Sequence, residues 1–93
     1  MPIPTGLSWQ PSNDKYIYLQ WNSAGSGYRY NIYASYPNPV HFTDTENDAP
    51  VSDTRVTWNL PHDKGKSFVF IVKAVDAQGH ESEPSNMIQV DLP

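Results

Sequence analysis

Three histidines, ten carboxylate side chains and no cysteine are the chain's raw material for chemistry. Metal centres, acid–base pairs and activated nucleophiles are built from such groups, so their spacing decides what is open. His41, His62 and His80 stand far apart, in no pattern that would close on zinc. Each is expected in an exposed loop. Without cysteine there is no thiolate catalysis, no thiolate-bound metal and no disulfide. Serine, histidine and aspartate all occur, but no nucleophile elbow or ordered triad signature joins them. Asp44, Glu46, Asp48 and Asp53 fall in "DTENDAPVSD" and offer hard oxygen donors to calcium. That stretch lacks the central glycine and terminal bidentate glutamate of an EF-hand loop, so a solvated acidic loop is expected. Glycoside hydrolysis needs two carboxylates held across a cleft, and three of these four lie close together in one loop. The sequence therefore predicts no catalytic residue, no metal and no cofactor.

The elements that would position any site are short strands. Apolar residues alternate with polar ones between turn signals, and no window sustains a helical period. "TGLSWQ" places Leu7 and Trp9 on one face. "KYIYLQWN" sets Ile17, Leu19 and Trp21 against Tyr16, Tyr18 and Gln20. "YRYNIYAS" sets Tyr28, Tyr30 and Ile32 against Arg29, Asn31 and Tyr33. "TRVTWNL" aligns Val56, Trp58 and Leu60, "KSFVFIVKAVD" aligns Phe68, Phe70, Val72 and Ala74, and "NMIQVDLP" aligns Ile88 and Val90. β-Branched and aromatic residues dominate these runs, as half-buried pleated surfaces favour. "SAGSG" and "DAQGHESEPSN" read as turns, the second with Gly79 suited to positive φ. "YPNPV" cannot be a central strand, because proline interrupts the hydrogen-bond ladder. "TDTENDAPVSD" reads as a long loop with room for one short edge strand. Six or seven such strands predict an all-β antiparallel sandwich of about seven strands, one domain over residues 1–93.

Composition removes several function classes. The net charge is −4, and the six lysines and arginines are scattered. Nucleic-acid binding needs a basic stripe to displace counterions, so no nucleic-acid partner is expected. The longest apolar run, "FVFIV", is far too short to span a bilayer, so no membrane insertion is expected. "MPIPTG" has no basic start followed by an apolar stretch, so no signal peptide is read there. Met1 before Pro2, and the proline-flanked ends "PIP" and "DLP", read as stiff junctions of a piece excised from a longer protein.

Three tryptophans and six tyrosines make the aromatics the remaining question. Parity places Trp9, Trp21 and Trp58 on inward faces, as core. Tyr33 points outward on the same sheet as Val69, Ile71 and Lys73. That outer face is unusually apolar, and it is the candidate contact surface for an adjacent domain. Tyr16 and Tyr18 form a smaller outward pair on the other sheet, where a glycan could stack.

The order of these segments resembles the fibronectin type III family over nearly the whole chain. "PTGLSW" is similar to its first strand, "YIYLQW" to its second with core Trp21, and "YRYNIY" to its third with core Tyr30. Leu60 and Pro61 loosely match its Leu-x-Pro turn. "FVFIVKAVDAQGHESEPS" is similar to its sixth strand and the Gly-x-Ser-x-Pro-Ser passage into the last. Two departures stand out. Phe68 replaces a tyrosine whose hydroxyl ties back to the preceding loop, a bond typically worth about 0.5–1.5 kcal/mol. The loop "LPHDKGKSF" is also longer than usual. No Arg-Gly-Asp occurs. The resemblance implies a non-catalytic spacer or docking module, monomeric in isolation, within a larger secreted or surface protein. Its partners would be neighbouring domains of the same polypeptide. The parent implied is a bacterial polysaccharide-degrading enzyme, with carbohydrate binding or protein-binding adhesion as the alternatives.

Overall fold

A computed structural model describes residues 2–13, 16–36, 40, 42, 50–59 and 67–91. Among the described residues there are six strands and no helix. They are β1 (Thr5–Asn13), β2 (Tyr16–Asn22), β3 (Arg29–Ser35), β4 (Arg55–Asn59), β5 (Ser67–Val75) and β6 (Ile88–Asp91). They form two three-stranded sheets, β1-β2-β4 and β3-β5-β6, and every pairing is antiparallel. About seven strands were expected. The stretch that left room for an extra edge strand lies mostly outside the described residues, and so do Leu60, Pro61 and the following loop.

The registers follow the alternation. Leu19 is opposite both Trp9 and Val56, and Ile17 is opposite Trp58. In the second sheet, Ile32 is opposite Val72 and Tyr30 opposite Ala74. Directly opposed residues project to the same side, so these rows meet between the sheets. The core they form holds Leu7, Ile17, Leu19, Trp21, Tyr30, Ile32, Phe68, Phe70, Val72, Ala74 and Val90. Each large side chain buried there contributes about 1.5–3 kcal/mol from area alone, which matters in a chain with no disulfide.

The tryptophans divide. Trp21 is buried and meets Tyr30 edge to face at 5.4 Å. Its Nε1 is buried with no hydrogen-bond partner among the described residues. Trp9 and Trp58 face inward as expected but are only half-buried, packed against the core's margin. Trp58 stacks edge to face on Phe68 at 5.1 Å and on Phe70 at 5.0 Å. Phe68, lacking the family's hydroxyl, also stacks on Tyr36 at 5.2 Å.

The segment between β5 and β6 shows how side chains can complete a sheet. Ser82 N–H donates to Ala74 C=O, and Ala74 N–H donates to Ser82 Oγ, at 2.8 and 2.9 Å. Ser85 repeats the exchange with Val72, again at 2.8 and 2.9 Å. Ser82 and Ser85 are three steps apart along the chain, against two from Ala74 to Val72. Pro84 lies within the extra step, where its missing N–H costs no ladder bond. Two serine hydroxyls thus supply acceptors that a regular strand would provide as carbonyls.

The ends of the strands fix two poles. Thr5 pairs with Asn22 and Arg29 with Val75 at one pole. Ser67 pairs with Asp91 and Tyr16 with Asn59 at the other. The chain therefore enters β1 at one pole and leaves β6 at the opposite one.

Candidate functional site

Three regions could carry function: the outer face of each sheet and the pole where β1 begins.

On the outer face of β3-β5-β6, Tyr33 is directly opposite Ile71, and Ser35 opposite Val69. The four residues Tyr33, Val69, Ile71 and Lys73 thus lie together, as parity predicts. Exposure is where the expectation fails. Tyr33 retains 7% of its surface, Val69 3% and Ile71 5%, although none belongs to the inter-sheet core. The face is not open apolar surface, and only Lys73 among the four is appreciably solvated.

A polar network lies across it. The Tyr33 hydroxyl donates a short hydrogen bond to Glu81 Oε2, and Asn31 Nδ2 donates to the same oxygen at 2.9 Å. Lys73 Nζ sits 5.1 Å from the centre of the Tyr33 ring. Burial opposes ionisation of Glu81, but the Tyr33 and Asn31 hydrogen bonds and the Lys73 charge outweigh it, leaving the pKa below the usual value. Burial, then the bond to Glu81 and its charge, pushes the Tyr33 phenol up from 10.0 to about 12. Glu81 has no sequence signal for this role, since its partners lie on β3, far along the chain.

The outer face of β1-β2-β4 is built differently. Gln20 is opposite Ser8 on one side and Arg55 on the other, and Tyr18 is opposite Gln10 and Thr57. Tyr16 meets Tyr18 edge to face at 5.7 Å. The Arg55 guanidinium carbon lies 4.1 Å from the centre of the Tyr18 ring. Tyr16 and Tyr18 are half-buried, whereas Ser8, Gln10, Gln20 and Arg55 are exposed. An open hollow of about 370 Å³ adjoins this face, lined by residues including Ser8, Gln20, Asn22, Thr54 and Arg55. The aromatic pair was legible in the sequence, but Arg55 was not.

At the pole where β1 begins, three connecting segments meet around a second depression of about 400 Å³. Gly27 comes from the β2–β3 connection and Arg29 opens β3, Pro50 precedes the Val51 bridge to Tyr30, and Asp76, Ala77 and Gly79 follow β5. Chemistry within the chain shapes each wall. The buried Tyr30 hydroxyl accepts from Ala24 N–H at 2.9 Å and donates to Ser23 Oγ at 3.3 Å, tying the turn from inside. Asp76 Oδ1 accepts from Gln78 N–H and His80 N–H, both at 2.9 Å, and Gly79 takes φ 86°. The bond from the His80 amide, more than the bond from Gln78 or the His80 ring, lowers the Asp76 pKa. This is an Asx-closed turn. His80 is exposed, with Nδ1 3.3 Å from Asp76 Oδ2, and this contact belongs to the turn.

No group of three or more metal-binding side chains converges among the described residues. Asp53 is exposed, and His41, His62, Asp44, Glu46 and Asp48 lie outside the described residues.

Against known proteins, the similarity lies in structure. No protein-family model and no curated protein sequence matches the chain. An Fn3-like protein from Clostridium thermocellum is 28% identical with a TM-score of 0.75, over 97% of this chain and 91% of that one. The spore cortex lytic enzyme SleM of Clostridium perfringens is 21% identical, TM-score 0.68, over 97% of this chain and 28% of the enzyme. A β-1,2-glucanase from Parabacteroides distasonis is 22% identical, TM-score 0.61, over 97% of this chain and 12% of the enzyme. Two stacked antiparallel sheets closed around aromatic and branched side chains make the chain an immunoglobulin-like β-sandwich. Within that class its fold is that of fibronectin type III domains, as the order of its segments indicated.

Proposed function

We propose that the chain is a non-catalytic accessory module, a spacer or inter-domain docking scaffold, in a larger secreted or surface protein of the bacterial polysaccharide-degrading kind. The observation that carries this reading is the placement of the two ends of the sandwich. Entry at one pole and exit at the other suit a domain threaded in line between neighbours. The longest dimension is 38 Å, which sets the separation it would impose. The stretches that match this chain cover 28% of the spore cortex lytic enzyme and 12% of the β-1,2-glucanase, so such a module fits inside proteins of that type. A neighbour docking on the Tyr33 face would meet Lys73 and Glu81, with Val69 and Ile71 beneath.

A second reading is supported by the gathering of three connecting segments around one depression. Loops held on a rigid sandwich are common recognition sites, so that pole is where a protein partner would be read.

The test uses the parent protein with and without residues 1–93. Turnover of a short soluble substrate should be unchanged by the deletion, while small-angle scattering should show a shorter maximum dimension. Loss of turnover on that substrate would overturn the accessory role.

A further inference from the structure

We infer that the outer face of β1-β2-β4 is a binding surface for a neutral glycan, with Gln10, Tyr16, Tyr18, Gln20, Arg55 and Thr57 as its contacts. The inference goes beyond the spacer role and stands apart from it, because a module could space its neighbours without binding anything on this face.

Composition is the first support. Exposed strand faces that merely solubilise a sheet carry lysine and glutamate, whose charge and rotamer entropy discourage contact. The outward rows here read Ser8–Gln20–Arg55 and Gln10–Tyr18–Thr57, with Tyr16 beside them. They contain no lysine, aspartate or glutamate, although ten carboxylates occur in the chain. Where protein surfaces bind one another, tyrosine and arginine are enriched and lysine and acidic residues depleted, and this face has the same bias.

The second support is what these groups can do together. Each glutamine carboxamide offers two donors and an acceptor in one plane, and the guanidinium offers a fork of donors. Vicinal sugar hydroxyls both donate and accept, so they match such planar groups. The tyrosines meet edge to face at 5.7 Å, and with Arg55 over the Tyr18 ring it is Tyr16 that supplies apolar ring surface for the C–H face of a pyranose. Arg55 is held over Tyr18 at 4.1 Å, which limits the rotamer freedom it would lose on binding. The adjoining hollow of about 370 Å³ continues the same row through Ser8, Gln20 and Arg55 to Asn22 and Thr54.

Neutral amides and hydroxyls outnumber the single positive charge on this face. The chain's net charge of −4 would also repel a polyanion at long range. A neutral glycan is therefore the partner the face fits.

The test is native gel retardation of the chain by soluble barley β-glucan and by polygalacturonate. It is paired with amide chemical-shift mapping during titration with cellohexaose and laminarihexaose. Retardation is expected with the neutral polymer and should persist at about 0.5 M NaCl, where charge pairing is screened. Shifts should cluster at Gln10, Tyr18, Gln20 and Arg55. Gln20→Ala and Arg55→Ala should each weaken binding by about tenfold, the loss of one well-made contact, while Gln89→Ala on the other sheet should not. Absence of retardation and shifts with the neutral glycans would overturn the inference. So would shifts confined to the pole around Gly27 and Asp76, or retention by polygalacturonate alone that salt abolishes. The mapping on the unsubstituted chain decides the matter even if a variant folds poorly.

Discussion

Replacing Ser85 by alanine should cost far more than its size implies. Val72 is fully buried, and its N–H donates to Ser85 Oγ at 2.9 Å. Alanine leaves that donor with no acceptor and no access to water, a penalty of about 1–3 kcal/mol. The hydroxyl's own bond to Asn86 C=O, at 3.0 Å, is lost as well. A domain of this size has a total stability of roughly 5–14 kcal/mol, so a large fraction is at stake. Urea unfolding followed by tryptophan fluorescence would read it directly. With a slope of about 1–3 kcal/mol per molar, the midpoint should fall by about 1 M with the slope unchanged. Ser82→Ala should behave likewise through Ala74 N–H, which Ser82 Oγ accepts at 2.9 Å. If Ser85→Ala leaves the midpoint unmoved, hydroxyls do not substitute for a strand in this sheet, and the reasoning is wrong.

Two further outcomes follow from other sites. Tyr33→Phe should destabilise the domain at neutral pH, since a hydrogen bond to a carboxylate is typically worth about 1.5–3 kcal/mol. It should also change the alkaline limb. A phenol raised from 10.0 to about 12 on folding stabilises fully below pH 10 and loses that contribution as pH rises through 12. The extra alkaline loss, at most about 2.7 kcal/mol, should vanish in the variant. Glu81, whose pKa is lowered on folding, contributes above the ordinary carboxylate range and loses that as pH falls through its folded value. A wild-type-minus-variant stability difference that stays flat from pH 9 to 12 would contradict the Tyr33 assignment. Gly6→Ala should lower thermal stability by about 1–2 kcal/mol, the cost of left-handed backbone for a non-glycine residue. Gly6 has φ 68°, and an added Cβ would sit 2.6 Å from Asn22 Nδ2. Unchanged calorimetry would show that the backbone at Gly6 relaxes freely.

The strands and their inward faces were legible because each rests on local alternation. Ile17, Leu19 and Trp21 could face only one way once the strand was recognised, and "DAQGH" declared its turn through Gly79. What escaped was set by pairing across sequence distance. Val69 and Ile71 alternate as outward residues should, yet they are buried. The reach of Glu81 to Tyr33 and Asn31, across that same face, had no local mark either. Arg55 lies over Tyr18 only because the β2–β4 register puts it one row away. Trp9 and Trp58 had the right parity, but a sandwich this small leaves its marginal rings half-covered. The serines of "ESEPS" looked like ordinary turn residues, and only the register against Val72 and Ala74 reveals their hydroxyls as ladder acceptors.

The proposed role depends on a module that carries the chain straight through from pole to pole. The absence of native cysteine allows a clean distance measurement with spin labels on a Thr5→Cys, Asp91→Cys pair. A single narrow distribution centred at about 25–35 Å is expected, the run of a nine-residue strand plus the label linkers. A distance below about 15 Å would place both ends at one pole and contradict the in-line arrangement on which the proposed role depends.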